Sequence, residues 1–130
     1  MDELYRDYIL EHYKYPHNFG ELDPHDLEAH DVNPLCGDEL GVHLQVDEEG
    51  KITGLRFHGQ GCAISQAAAS IASDELIGMT VEQVAALDAN WMIDLLGIDI
   101  SPTRRKCALL CLKVMRGAIT DAASWPTDSE

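Results

Sequence analysis

Basic residues are scarce in this 130-residue chain: 9 Lys and Arg stand against 23 Asp and Glu, for a net charge of −14. Neutralising phosphates takes clustered Lys and Arg, so the balance argues against general binding to nucleic acid or to an anionic membrane. It suits docking on a basic protein surface, and equally a salt-rich habitat. No apolar run approaches the roughly 20 residues that span a bilayer. The opening MDELYRDYIL is acidic and amphipathic, unlike a signal peptide, so a cytoplasmic protein is expected. None of the four cysteines forms a CxxC pair, which argues against a thioredoxin-like redox motif and gives no generic zinc-ribbon pattern. In a reducing compartment such cysteines serve as ligands, nucleophiles or core residues rather than disulfides. Internal repeats and linkers are also lacking. The expectation is one domain over 1–130, with the N-terminal helix and the tail 122–130 peripheral.

What is present reads as a helix, a β-hairpin and then several helices. In residues 2–14, Leu4, Tyr5, Tyr8, Ile9 and His12 recur on one side of a helix that Tyr15-Pro16 ends. Asn18 to Pro34 reads mostly as loop, with at most a short edge strand. Leu40, Val42, Leu44 and Val46 alternate with Gly41, His43, Gln45 and Asp47, the pattern of a half-buried strand. DEEGK (47–51) makes a hairpin turn to a partner strand, Ile52 to His58. The Ala-rich segment 63–78 is helical, with Gly78 as its cap. Thr80 and Gln83 form a capping box for VEQVAAL, and Trp91 to Leu96 adds a short helix. Ser101 with Pro102 opens a last helix whose apolar stripe is Ala108, Cys111, Leu112, Met115 and Ile119. The fold class is α+β: a small antiparallel sheet of about three strands packed against several α-helices.

Chemistry, if any, lies with the cysteines. Cys36 in NPLCGDEL (33–40) is either a plain turn cysteine or half of a metal site, since Gly37 lets Cys36 and Asp38 face one point. Cys62 follows GQG and opens a helix. It is either a small buried residue or a thiolate favoured by the helix N-terminus. Cys107 follows Arg104-Arg105-Lys106, the one dense basic cluster. That cluster is a solvated helix face, or else it depresses the thiol pKa and offsets the charge of a thiolate-rich site. Cys111 belongs to the apolar stripe and reads as core, with a CxxxC ligand pair as the alternative. His43 and His58 fall on strand faces opposite the core. His12, His17, His25 and His30 lie in or near the N-terminal segment. None of the six is expected to be a ligand.

These motifs together resemble the IscU/SufU family of iron–sulfur cluster assembly proteins, which includes the N-terminal domain of NifU. YILEHYKYPHNFGEL (8–22), NPLCGDEL (33–40), FHGQGCAISQAAAS (57–70) and RRKCALLCLKVM (104–115) look like its successive signatures. The resemblance implies a metal and cofactor site of Cys36, Asp38, Cys62 and Cys107, holding Zn²⁺ or a [2Fe–2S] cluster. It implies sulfur delivered as a persulfide by a pyridoxal-phosphate-dependent cysteine desulfurase, and downstream iron–sulfur acceptor or carrier proteins. The expected state is a monomer or a weak homo-oligomer.

The family has two types. In the scaffold type a histidine usually precedes the third cysteine. In the SufU type, a zinc-dependent sulfur acceptor, an Arg-x-Lys-Cys pattern replaces it. Arg104-Arg105-Lys106-Cys107 is similar to the latter. SufU proteins, however, usually carry an insertion between the second and third cysteines, and this chain lacks it. The expected function is therefore a SufU-like sulfur acceptor, with a [2Fe–2S] scaffold as the alternative and a structural-zinc interaction module behind both. Cys36 is the expected acceptor and Cys107 the alternative. Asp38 confers lability, because a carboxylate oxygen is a more exchangeable partner than a thiolate for soft iron–sulfur chemistry. Arg104 and Lys106 give electrostatic support.

Overall fold

The computed structural model describes residues 3–33, 37–102 and 104–120. The element order is α1 (Glu3–Lys14), β1 (Leu27–Asn33), β2 (Asp38–Val46), β3 (Ile52–Gln60), α2 (Ala63–Leu76), α3 (Val81–Ala85), α4 (Ala89–Leu96) and α5 (Arg105–Thr120). The strands form one antiparallel sheet in the order β1-β2-β3. This is the expected α+β architecture.

The period-two pattern of β2 sets the two faces of the sheet. Leu40, Val42 and Leu44 point inward with Leu55 and Phe57 of β3, and all five are buried. The register places Gly41 opposite His58 and His43 opposite Arg56 on the outer face. Asp47 organises the hairpin turn: its carboxylate accepts the amides of Glu49 and Lys51, and Gly50 takes φ +81°.

Helices cover the inner face, α5 against β1 and β2 and α2 against β3. α2 is central because its side chains are small. Ala67, Ala68, Ala69 and Ala72 are fully enclosed, so α1, α4 and α5 can all pack on it. Alanine also has the best intrinsic helix propensity, so a helix buried on many sides costs little to form here. The Thr80–Gln83 capping box is present with both bonds, and Asp88 caps α4 through the Trp91 amide.

Four features depart from the sequence reading. β1 is a seven-residue strand where mostly loop was expected. Its inward residues after Leu27 are Ala29, Asp31 and Asn33, too polar to give an apolar alternation. Its place is secured by pairing with β2 and by the Asp31–Lys113 ion pair of 3.0 Å to α5. Ser101 and Pro102 do not open α5. Arg104 N–H donates to Ser101 O and Arg105 N–H to Pro102 O, three residues back, so a tight turn precedes the helix. Ile77, not Gly78, caps α2, and Gly78 follows with φ +100°. On α1, Ile9 and His12 are buried as expected but Tyr8 is 41% exposed, while the side chains of Leu4 and Tyr5 lie outside the described residues.

Candidate metal centre

Asp38, Cys62 and Cys107 come from three elements that meet at one end of the inner face. Asp38 is the first residue of β2, Cys62 the N-cap of α2, and Cys107 lies in the first turn of α5. One ligand atom from each lies within 4.8 Å of the others. Asp38 and Cys107 are each 1% exposed, while Cys62 is half-buried. In a tetrahedral zinc site with Zn–S bonds of ~2.3 Å, neighbouring donor atoms stand about 3.8 Å apart.

The local sequence explains the convergence. Gly37, at φ +71°, donates its amide to Asn33 O at 2.9 Å and turns the chain directly into Asp38. The Asp38 carboxylate is then fixed by the Cys62 amide, 2.8 Å from Oδ1. Cys62 Sγ makes no capping bond and lies 3.9 Å from Asp38 Oδ2. Gly61 is required at this point: a Cβ there would stand 2.5 Å from both Asp38 Oδ1 and Ser65 Oγ. The two thiols thus sit at the N-terminal ends of α2 and α5, where the helix dipole favours negative charge.

The donor set, two thiols and a carboxylate in a pocket that a β-carbon would fill, suits Zn²⁺ or an iron–sulfur cargo. Cys36, the remaining expected ligand, lies outside the described residues. Arg104 and Lys106 are exposed and Arg105 is half-buried at the start of α5, adjoining Cys107 in the chain. Cys111 is buried in the core, and desolvation pushes its thiol up to about 12, so it stays protonated and apolar. Gly59, just before the site, serves the strand pairing: it takes φ +130°, and a Cβ there would meet Glu39 O at 2.3 Å. Sequence reasoning missed Asn33, buried beside Asp38 in the β1–β2 register, because an Asn before Pro reads as a turn signal.

The sequence profile of the NifU-like N-terminal domain matches residues 4–126. The iron-sulfur cluster assembly scaffold protein IscU of Streptococcus pyogenes is 32% identical over 142 aligned positions, covering 95% of this chain and 87% of that one. The zinc-dependent sulfurtransferase SufU of Bacillus subtilis is 30% identical over 137 positions, covering 92% and 91%. Both alignments are longer than the 130-residue chain, so both relatives carry residues that this chain lacks. Among solved structures, the putative iron-sulfur cluster assembly scaffold protein for the SUF system from Fervidobacterium islandicum superposes with a TM-score of 0.77 at 26% identity, covering 88% of this chain and 95% of that one. With its profile, its relatives and its fold in agreement, the chain belongs to the NifU-like N-terminal domain family.

Proposed function

We propose that this protein acts in iron–sulfur cluster assembly, taking sulfur from a pyridoxal-phosphate-dependent cysteine desulfurase at a site of Cys36, Asp38, Cys62 and Cys107. The observation that carries the reading is the convergence of Asp38, Cys62 and Cys107 from distant parts of the chain. One relative named an iron-sulfur cluster assembly scaffold protein and another named a zinc-dependent sulfurtransferase support it. Cys36, two positions before Asp38 in the sequence, supplies the third thiol.

Zn²⁺ at this site would hold thiols as thiolates and keep them poised for exchange. The protein's own part is to present one thiolate to the partner. That thiolate attacks the terminal sulfur of the desulfurase persulfide. A new S–S bond forms on the acceptor cysteine, the donor's S–S bond breaks, and the desulfurase cysteine leaves as thiolate. Nothing is oxidised or reduced overall. Cys36 is the proposed acceptor, because Cys107 is 1% exposed and closed to an incoming sulfur as it stands. Arg104 and Lys106, exposed and adjoining Cys107 in the chain, would offset surplus thiolate charge.

A second reading is favoured by the cysteine spacing. Cys62 and Cys107 stand 45 positions apart (107 − 62), without the insertion usual between them in the SufU type, which suits a [2Fe–2S] scaffold holding its cluster as cargo on the same four residues. Protein purified without oxygen separates the two readings: colourless with stoichiometric zinc for the acceptor, brown with a charge-transfer absorbance for the scaffold. Desulfurase turnover with and without the protein tests the common claim. Sulfur trapped on Cys36 and located by peptide mass spectrometry supports the acceptor role. Turnover indifferent to the protein would sink both readings and leave a structural-zinc module.

A further inference from the structure

The outer face of the sheet carries a second group of ligand atoms that the thiol site does not use. Residues 18–26 cross that face as a strap. At one side Phe57 N–H donates to Asn18 O and Gly20 N–H to Phe57 O; at the other Asp26 N–H donates to Leu44 O. Between these anchors the Leu22 peptide is gripped by two histidines. Its N–H donates to His43 Nδ1 at 3.1 Å and its C=O accepts from His25 Nδ1 at 2.8 Å. His43 and His58, expected on the face opposite the core, are there, but half-buried beneath the strap.

From these positions we infer that Glu21, His43 and His58 form a second metal site, selective for a borderline divalent cation such as zinc or cobalt. Their ligand atoms lie within 4.8 Å of one another. Imidazole nitrogens with a carboxylate suit such cations, whereas the thiol-rich site suits softer cargo. Two further observations point to a ligand. His58 Nδ1 is buried with no hydrogen-bond partner among the described residues, a lone pair or a proton left unsatisfied. Gly41 makes the slot for this ring: a Cβ there would stand 2.5 Å from His58 Nε2. His25 and Glu28 also lie within reach of His43. But the His25 and His43 rings are stacked at 3.9 Å and 12°, which keeps their in-plane lone pairs parallel, whereas the His43 and His58 rings cross at 67°. Crossed rings can aim at one point.

The Leu22 amide reports occupancy. An ion at His43 Nδ1 displaces that amide. An ion at Nε2 requires the proton to move to Nδ1, which breaks the same bond. Binding therefore loosens the strap, and the site is linked to the backbone ahead of β1. The inference is independent of the cluster-assembly reading.

The test is cobalt(II) titration of the full chain. Thiolate ligation gives an intense charge-transfer band, while a nitrogen–oxygen site gives only weak d–d bands. The expected result is a first equivalent with charge transfer and a second without. His58→Gln should weaken the second equivalent about 100-fold or more, and Glu21→Gln about tenfold, with the first unchanged. Glu21 is exposed, so its substitution leaves the fold intact should His58→Gln fail to fold. Gly41→Ala, which displaces the His58 ring, should act like His58→Gln. On adding zinc beyond the first equivalent, the Leu22 amide resonance should shift and exchange faster with solvent. Saturation at one equivalent with charge transfer, a nitrogen–oxygen equivalent that survives Glu21→Gln and His58→Gln, or its uptake with an unmoved Leu22 amide would each overturn the inference.

Discussion

The two faces of the three-stranded sheet use the same strands for opposite chemistry. At the end of the inner face, Asp38 meets two thiols at helix N-termini, with Asp38 and Cys107 nearly sealed from water. On the outer face, His43 and His58 lie under an irregular strap that brings up the carboxylate of Glu21. The difference shows how ligand softness follows architecture. Thiolates need positive potential to offset the cost of desolvation, which the starts of α2 and α5 supply. Neutral imidazoles tolerate a half-wet surface and need only neighbours that orient them.

The comparison breaks most sharply at Cys107. Cys107→Ser should reduce zinc affinity at the thiol site by about 100-fold or more while leaving a second, nitrogen–oxygen equivalent in place. Metal content after dialysis against a weak chelator would measure it. Loss of both equivalents together would mean that the faces are not independent.

Two glycines of the sheet sharpen the contrast next. Gly59→Ala should destabilise the fold by at least about 3 kcal/mol, because φ +130° is unfavourable for alanine and the added carbon strikes the backbone oxygen of Glu39. Gly41→Ala should cost much less, since the atom in the way ends a side chain that can swing aside. Urea midpoints of the two variants give the order directly, and equal losses would contradict it.

Asp38→Ala has two expected effects. A bound cluster should live longer, because the exchangeable oxygen is gone. The metal-free chain should lose about 1–3 kcal/mol, because the Cys62 amide loses its acceptor. Bleaching rates and denaturant melts measure the two separately. A cluster that bleaches faster than in the parent would count against the role given to Asp38.

The smallest expected effect concerns a third use of histidine. His12 is buried on α1 with Nδ1 2.6 Å from Ser70 Oγ, and Ser70 Oγ also accepts the His17 amide. Desolvation, with the nearby His17, holds the His12 pKa below its usual 6.5 despite Asp74 and Glu11. The neutral form is therefore the one that folding favours. Its contribution is fully present above pH 6.5 and is lost as pH falls below that value toward the folded-state pKa. His25, whose pKa is raised by its bond to the Leu22 carbonyl and by Glu28, works in the opposite sense. The difference between the native protein and His12→Gln isolates the first effect. Stability curves of the two that run parallel between pH 7 and pH 5 would refute it.

Much of this was legible in the chain. Alternation at Leu40, Val42 and Leu44 marked β2, the Thr80–Gln83 pair marked the start of α3, and Cys111 declared itself core by its place in an apolar stripe. β1 was legible only as a short edge strand, because Ala29, Asp31 and Asn33 carry no hydrophobic signal and owe their inward places to β2 and α5. The outer histidine group was not legible. Glu21, His43 and His58 have no shared spacing; the β2–β3 register sets the two histidines together, and the strap's crossing adds Glu21.

By itself, then, the sequence determined the local events: which segments wind or extend, where a helix may start, and which residue types can hold a metal. Those depend on periodicities and side-chain chemistry that act within a few residues. Only the tertiary structure decided which of the candidates meet. Asp38, Cys62 and Cys107 share a point because α2 and α5 pack on the same face of the sheet, and His43 sits under Leu22 because a loop crosses the other. Such meetings are set by core packing over long sequence separations, and no short window of sequence contains them.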